Sequence, residues 1–236
     1  MIRVKIKLRM LIRELILKLG SVFFESNPIL NPLSGDRCIE YGFVIKNLIG
    51  LDRSRYRSVL DIGCYASPLT TIIRELGFTV DGVDLLPSPY VYQGVNHLQG
   101  DFLSLDFKVS YDVVVLCSTI EHIGLGGRYG SRNIEDGDMK AIEKVKQLLN
   151  TQGILILTVP YGREKTIKPL HRVYNKNSRL LKYVYDNFKV EVEEFYKNNS
   201  EDVWVKCSEN EARRVIPSEH NYALGLFIFR KRMGPM

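Results

Sequence analysis

The chain has 236 residues, 45% hydrophobic and 25% charged, a globular composition that fits one decorated α/β domain better than two full domains. It holds no run of about 18 uncharged apolar residues, which argues against a spanning helix. Cys38, Cys64, Cys117 and Cys207 stand far apart with no C-x-x-C pair, which argues against a disulfide framework or a zinc site and for reduced thiols in a cytoplasmic protein. The net charge of +6 divides into +5 over residues 1–20, +3 at Arg230, Lys231 and Arg232, and −2 over the rest. A nucleic-acid enzyme carries its basic surface around its site, so this distribution argues against nucleic acid and for a small or neutral substrate.

In chain order, residues 2–8 (IRVKIKL) alternate apolar and basic, which suits a strand or an interfacial segment, and residues 10–19 (MLIRELILKL) read as a helix. This start lacks the uninterrupted apolar core and cleavage site of a secretory signal. Residues 1–20 are read either as a packing or self-association surface, giving a homodimer, or as a peripheral membrane contact. NPILNPLSGD, residues 27–36, is a turn-rich linker, so residues 1–36 are separated as an extension from a domain over residues 37–236. CIEYGFVIKNLIGL predicts a helix, SVLDIG a buried strand, PLTTIIRELGF a helix ending at Gly77, and FTVDGVDL a second strand. YDVVVLCS is a third strand, residues 137–149 a helix, ILILTVP a fourth strand, residues 176–187 a helix, and KVEVEEFY and ALGLFIFRK the last strands. Short apolar strands alternating with helices imply a mostly parallel sheet covered on both faces.

In such sheets ligands bind beyond the carboxyl ends of the strands, so the informative residues follow each strand. After the first come Asp61, Gly63 and Ser67. After the second comes Asp84, 23 residues beyond Asp61, close to the spacing of about 20 at which an acid meets ribose hydroxyls. Asp101 and Phe102, in QGDF before the third strand, pair an acid with an aromatic that can read and stack a purine. A dinucleotide loop wants G-x-G-x-x-G, but Gly63, Tyr65 and Pro68 occupy its positions, so two of three fail. A ligand without a pyrophosphate fits better.

With these residues the sequence resembles the class I S-adenosylmethionine-dependent methyltransferases over roughly residues 37–232. Asp61, Gly63, Tyr65 and Ser67 stand where that family has D-x-G-x-G-x-G, with the acid and first glycine kept. The resemblance implies a doubly wound, mostly parallel seven-stranded sheet with a C-terminal antiparallel strand, and S-adenosyl-L-methionine as cofactor. It implies that Gly63, with Tyr65 beside it, approaches the methionine part, that Asp84 and neighbouring Leu85 meet the ribose, and that Asp101 with Phe102 holds the adenine. YDVVVLCSTIEHIG is similar to the fourth strand and its turn, which brings Ser118 to the cofactor. LLNTQGILILTVP is similar to the turn before the fifth strand, with Gln152 where proline or glycine is common. STIEHIGLGGRYG is similar to a subgroup carrying E-H-[IV]-G-L-G-R-Y-G, with Gly127 extra here; some members sit among sugar-processing genes, which points to a saccharide or glycolipid acceptor.

Methyl transfer to a hydroxyl benefits from a base that takes its proton. His122 is the candidate, since a histidine ordinarily titrates near neutrality, and Glu121 beside it is placed to orient a partner, bind cofactor or help hold a divalent metal; the alternative is that both merely open a helix. Without clustered ligands no metal is assigned. Arg128 and Tyr129 sit in a glycine-rich loop able to close over an acceptor, Tyr161 is read as a pocket wall or a packing residue, and His171, Arg172 and Tyr174 as contacts to a polar substrate. Arg37, Glu40 and Tyr41 are read as contacts from the preceding helix. The expected activity is O-methylation of a sugar, glycolipid or other small polar acceptor. The competing readings are a catalytically silent binding protein, for which Tyr65 and Ser67 speak, and an RNA methyltransferase, against which the −2 body speaks.

Overall fold

Apolar runs with valine and isoleucine form strands here because both sheet faces are covered, and the helices between them supply the cover. A computed structural model describes residues 35–232 except 66, 89–92 and 200–202. The expectations for residues 1–34 therefore lie outside the described residues. In chain order the elements are α1 (Asp36–Ile49), β1 (Ser58–Ile62), α2 (Leu69–Glu75), β2 (Thr79–Asp84), β3 (Val95–Gln99), β4 (Tyr111–Cys117) and α3 (Gly137–Leu148). There follow β5 (Leu149–Tyr161), β6 (Lys165–Ile167), β7 (His171–Val173), α4 (Arg179–Asn187), β8 (Phe188–Asn198), β9 (Trp204–Cys207), α5 (Glu209–Arg214) and β10 (Ala223–Lys231).

The main sheet runs β3-β2-β1-β4-β5-β10-β8-β9, and β6 and β7 form a separate hairpin. Strands β1 to β5 pair in parallel, while β10 enters antiparallel between β5 and β8. The doubly wound, mostly parallel sheet with its C-terminal antiparallel strand is as expected. The structure adds β9 as an eighth strand, antiparallel to the outer edge of β8. β3 was also not foreseen; Asp101 and Phe102 lie on a loop before the YDVVVLCS strand, as expected, with β3 ahead of them.

Alternate residues of β4 feed opposite layers. Val114 and Leu116 pack with α3 and α4 residues such as Ile142, Val145 and Leu181. Val113 and Val115 pack with Phe43, Val44 and Leu48 of α1 and Ile73 of α2. Each such side chain contributes about 1.5–3 kcal/mol when fully buried, so the center of the sheet rigidly sets the strand ends where the site lies. Gln152 takes a left-handed φ of 61° in the turn where glycine is common among similar sequences. The basic stretch 230–232 is no loose tail: Arg230 ends inside β10 and binds both carboxylate oxygens of Glu191, at 2.5 and 2.9 Å. Among the described residues no helix is long and apolar enough to cross a membrane.

Candidate active site

The carboxyl ends of β1 and β2 bring Asp61, Gly63, Tyr65, Asp84 and Leu85 together. Asp61 is buried and accepts the Thr70 hydroxyl at 3.0 Å. Gly63 has φ 87°, and a Cβ built there would stand 2.2 Å from the Thr119 hydroxyl, so only glycine lets the turn after β4 settle onto this loop. Half-buried Asp84 accepts the Tyr65 N–H at 2.9 Å on one oxygen and the Leu86 N–H at 3.0 Å on the other. Tyr65 thus enters the site through its backbone, which answers how the loop does without a second glycine. Each Asp84 oxygen keeps a further lone pair for a ligand hydroxyl. Ser67, in place of the last glycine, accepts the Tyr41 hydroxyl at 2.9 Å and the Leu69 N–H at 3.1 Å, which ties α1 to the loop.

At the end of β4, α1 reaches across the sheet. Glu40 is fully buried and binds Arg37 at 3.0 Å, Thr158 of β5 at 2.6 Å, and the Ser118 hydroxyl. Ser118 has φ 43°, a costly conformation for serine, and its N–H donates to the Thr158 hydroxyl at 2.9 Å. The sequence reading had Glu40 only as a contact from the preceding helix; the structure makes it the buried center of this network.

Glu121 and His122 follow in a turn that does not open a helix, since α3 begins at Gly137. Glu121 is buried, and its Oε2 has no hydrogen-bond partner among the described residues. His122 Nδ1 lies 2.6 Å from the Leu170 carbonyl oxygen, and Nε2 lies 3.7 Å from Glu121 Oε1. A carbonyl oxygen only accepts, so Nδ1 donates to it, and in the neutral ring Nε2 is the acceptor nitrogen. The Tyr129 ring stands edge-on to His122 at 5.7 Å.

Several expectations for the surrounding loops are corrected. The base of the glycine-rich loop is a locked turn rather than a hinge. Ile134 N–H binds Gly124 O at 3.0 Å, Leu125 bridges Asn133, and Cβ atoms built at Gly124 or Gly137 would meet the other's Cα within 2.8 Å. These glycines serve close approach of two backbones. Arg172 serves structure as well: it donates to Ile123 O at 2.8 Å and Glu121 O at 3.3 Å, and its Nε lies 3.5 Å from Asp138. Tyr174 is buried against the same Asp138, donating at 3.0 Å. Tyr161 is fully buried and donates to Glu209 at 2.7 Å, so it packs rather than lines a pocket. The side chain of Arg128 lies outside the described residues.

Asp101 follows β3 and is held by the Leu103 N–H at 2.9 Å and by Arg132 at 2.6 Å. Phe102 is buried in the core, 5.7 Å from the Phe107 ring, with the Lys144 ammonium 5.0 Å from its centroid. Asp101 and the local backbone are thus the more accessible part of this pair.

Burial raises the Asp61 carboxyl from 3.8 to about 7, with the Thr70 hydrogen bond opposing and Asp84 adding to the rise. Burial raises Glu121 from 4.5 to about 8, and Glu40 adds to it. Asp84 is raised by burial against the pull of the N–H groups it accepts. Half-buried Asp84, whose two oxygens keep lone pairs to spare, favors a ligand with hydroxyls to donate, and S-adenosyl-L-methionine, with its ribose diol, has that chemistry. In the ligand-free protein Asp61 and Glu121 hold protons that the unfolded chain releases above its ordinary carboxylate range. Their contribution to stability is therefore full below about pH 4 and is lost as pH rises to about 7–8. The unfolding temperature is expected to drop between about pH 5 and pH 8, and Asp61→Asn with Glu121→Gln to flatten that slope; a steeper or unchanged slope in the double variant would contradict the assignment.

The sheet order, the antiparallel β10 and the loop after β1 define a Rossmann-like fold of the methyltransferase type. The chain belongs to the family described as "Caenorhabditis protein of unknown function, DUF268", whose profile matches residues 101–226. No curated protein matches it. Among solved structures it is similar to the N-methyltransferase NodS from Bradyrhizobium japonicum WM9 in complex with S-adenosyl-L-homocysteine, at 15% identity over 88% of this chain and 90% of that one, TM-score 0.51. It is also similar to the 1,6-didemethyltoxoflavin-N1-methyltransferase of Burkholderia thailandensis, at 16% identity over 94% and 90%, TM-score 0.55. The [4+2]-cyclase SpnF is similar as well, at 14% identity over 81% of each chain, TM-score 0.53. Likeness at this level concerns the fold, and a cyclase among these structures keeps chemistry a separate question.

Proposed function

We propose that the protein is an S-adenosyl-L-methionine-dependent methyltransferase that methylates a hydroxyl of a sugar, glycolipid or other small polar acceptor. The observation that supports this reading is the His122–Leu170 bond, which turns Nδ1 to the carbonyl and leaves Nε2 as the acceptor nitrogen of the neutral ring, in the turn after β4. When bound, the cofactor supplies an electrophilic methyl group. Asp84 accepts the ribose diol, with Leu85 beside it, while Asp61 and Gly63 shape the loop that Tyr65 closes through its N–H. Asp101, with the backbone at Phe102, meets the adenine, and Ser118 fixes the turn after β4. His122 Nε2 takes the acceptor's proton, and Glu121, 3.7 Å from that nitrogen, helps to orient the ring. Positioning does much of the rest, since aligned groups react far faster than freely diffusing ones.

The test is calorimetric titration of the full chain with S-adenosylhomocysteine. We expect binding in the micromolar range and its loss in Asp84→Ala, which removes the diol acceptor and the anchor of the Tyr65 loop together. No detectable heat at millimolar ligand would overturn the reading and favor a catalytically silent protein. The same fold could still serve in the cytoplasm as a binding module in that case.

A further inference from the structure

A row of aromatic rings leads outward from the catalytic turn to the edge of the sheet. His171, which opens β7, is buried and stands edge-on to Tyr222 at 5.3 Å. Tyr222 lies 6.3 Å from Trp204, and its hydroxyl donates to Asp36 at 2.8 Å. The topology sets this row at the site's end of the sheet. Tyr222 immediately precedes β10, whose first residue Ala223 pairs with Tyr161 at the end of β5. Trp204 opens β9 opposite Asn198, the last residue of β8. His171 is tied to the catalytic turn because the next residue, Arg172, donates its N–H to Glu121 O at 3.1 Å. Trp204 and Tyr222 are both partly exposed.

We propose that this row is the acceptor subsite and that the acceptor is a saccharide; the inference rests on the methyltransferase reading and narrows its substrate class. A pyranose turns a face of weakly positive C–H groups and a rim of hydroxyls. The C–H face packs on the negative face of an aromatic ring, and the hydroxyls pair with carboxyl groups, which accept when ionized and both donate and accept when protonated. Here rings and carboxyls alternate: Trp204, Tyr222 with Asp36, His171, then Glu121 with its unpartnered buried oxygen and His122. A flat heteroaromatic acceptor would use the rings and leave those carboxyls unmet. The tryptophan arrives on β9, the strand that the fold adds beyond the expected seven.

Trp204 is the one tryptophan of the chain, so its emission reports directly on this subsite. The full chain, saturated with S-adenosylhomocysteine, is titrated with the methyl glycosides of glucose, mannose and rhamnose, and with catechol as a flat hydroxylated probe. We expect at least one glycoside to change the emission saturably. By calorimetry its affinity should fall about tenfold, about 1.4 kcal/mol, in Trp204→Ala and in Tyr222→Ala, and be largely kept in Trp204→Tyr. Cofactor-product affinity should stay unchanged in all three variants, which also shows that they fold. A response to catechol alone, to no probe, or to glycosides equally in wild type and both alanine variants would overturn the subsite while cofactor binding keeps the methyltransferase reading. Loss of S-adenosylhomocysteine binding in the wild type would instead sink that reading.

Discussion

His122→Asn should lower methyl transfer to the best-bound glycoside by about 10²–10⁴-fold, the usual span for a lost general base, while leaving S-adenosylhomocysteine affinity unchanged. The asparagine amide nitrogen, at the same δ position as Nδ1, can still donate to the Leu170 carbonyl, which His122 meets at 2.6 Å. It offers no basic nitrogen in place of Nε2. The substitution therefore keeps the geometry of the turn and removes only its proton acceptor. Radiolabeled methyl transfer measures the rate, and thermal unfolding shows whether structure has been kept. An equal loss of rate and of stability would mean that the ring only braces the β6–β7 hairpin. An unchanged rate would remove His122 from the chemistry.

Glu40→Ala should destabilize the fold by about 3 kcal/mol, near the low end of the range for breaking a buried ion pair. Glu40 joins Arg37, Ser118 and Thr158 while fully buried. Its removal strands two hydroxyls and leaves Arg37 without its closest carboxylate. The Arg37 side chain is 34% exposed and can recover water, which keeps the loss from reaching the top of the range. With total stability ordinarily about 5–15 kcal/mol, the change should be plain in urea unfolding. Ser118, held at a left-handed φ by this network, should relax with it, so cofactor-product affinity is expected to weaken together with stability. A loss below about 1 kcal/mol would mean that water replaces Glu40 without difficulty.

What the sequence made legible followed the hydrophobic pattern. β1, β4, β5 and β10 are apolar enough to be read as strands, and the Asp61–Asp84 spacing located the strand ends. β3 escaped because VNHLQ is polar at an edge and has no buried face to demand a pattern. β9 and the β6–β7 hairpin are three or four residues each, too short for a period to show. The helix α5 did carry a signal: Ser208 and Glu211 form a reciprocal capping box, and S-x-x-E before the helix announces it. The site's second layer was out of reach for another reason. Glu40 meets Ser118 and Thr158 across 78 and 118 residues of chain, and nothing local marks such a pairing. Arg172 and Tyr174 look like substrate contacts in a loop until the fold supplies Asp138 and the carbonyls of Glu121 and Ile123.

The partner that fixes the histidine's tautomer is a main-chain oxygen, and this has a consequence for how the site can change. Every residue type placed at position 170 presents the same carbonyl, so the protonation pattern of His122 is insulated from point substitution there. It depends instead on where the β6–β7 hairpin sits, set by its bridge of Tyr161 to Tyr174 and by the grip of Arg172 on the turn. Insertions or deletions in that hairpin, rather than residue replacements, are the changes by which the ring's orientation would be altered while the β1–β2 loops stay untouched.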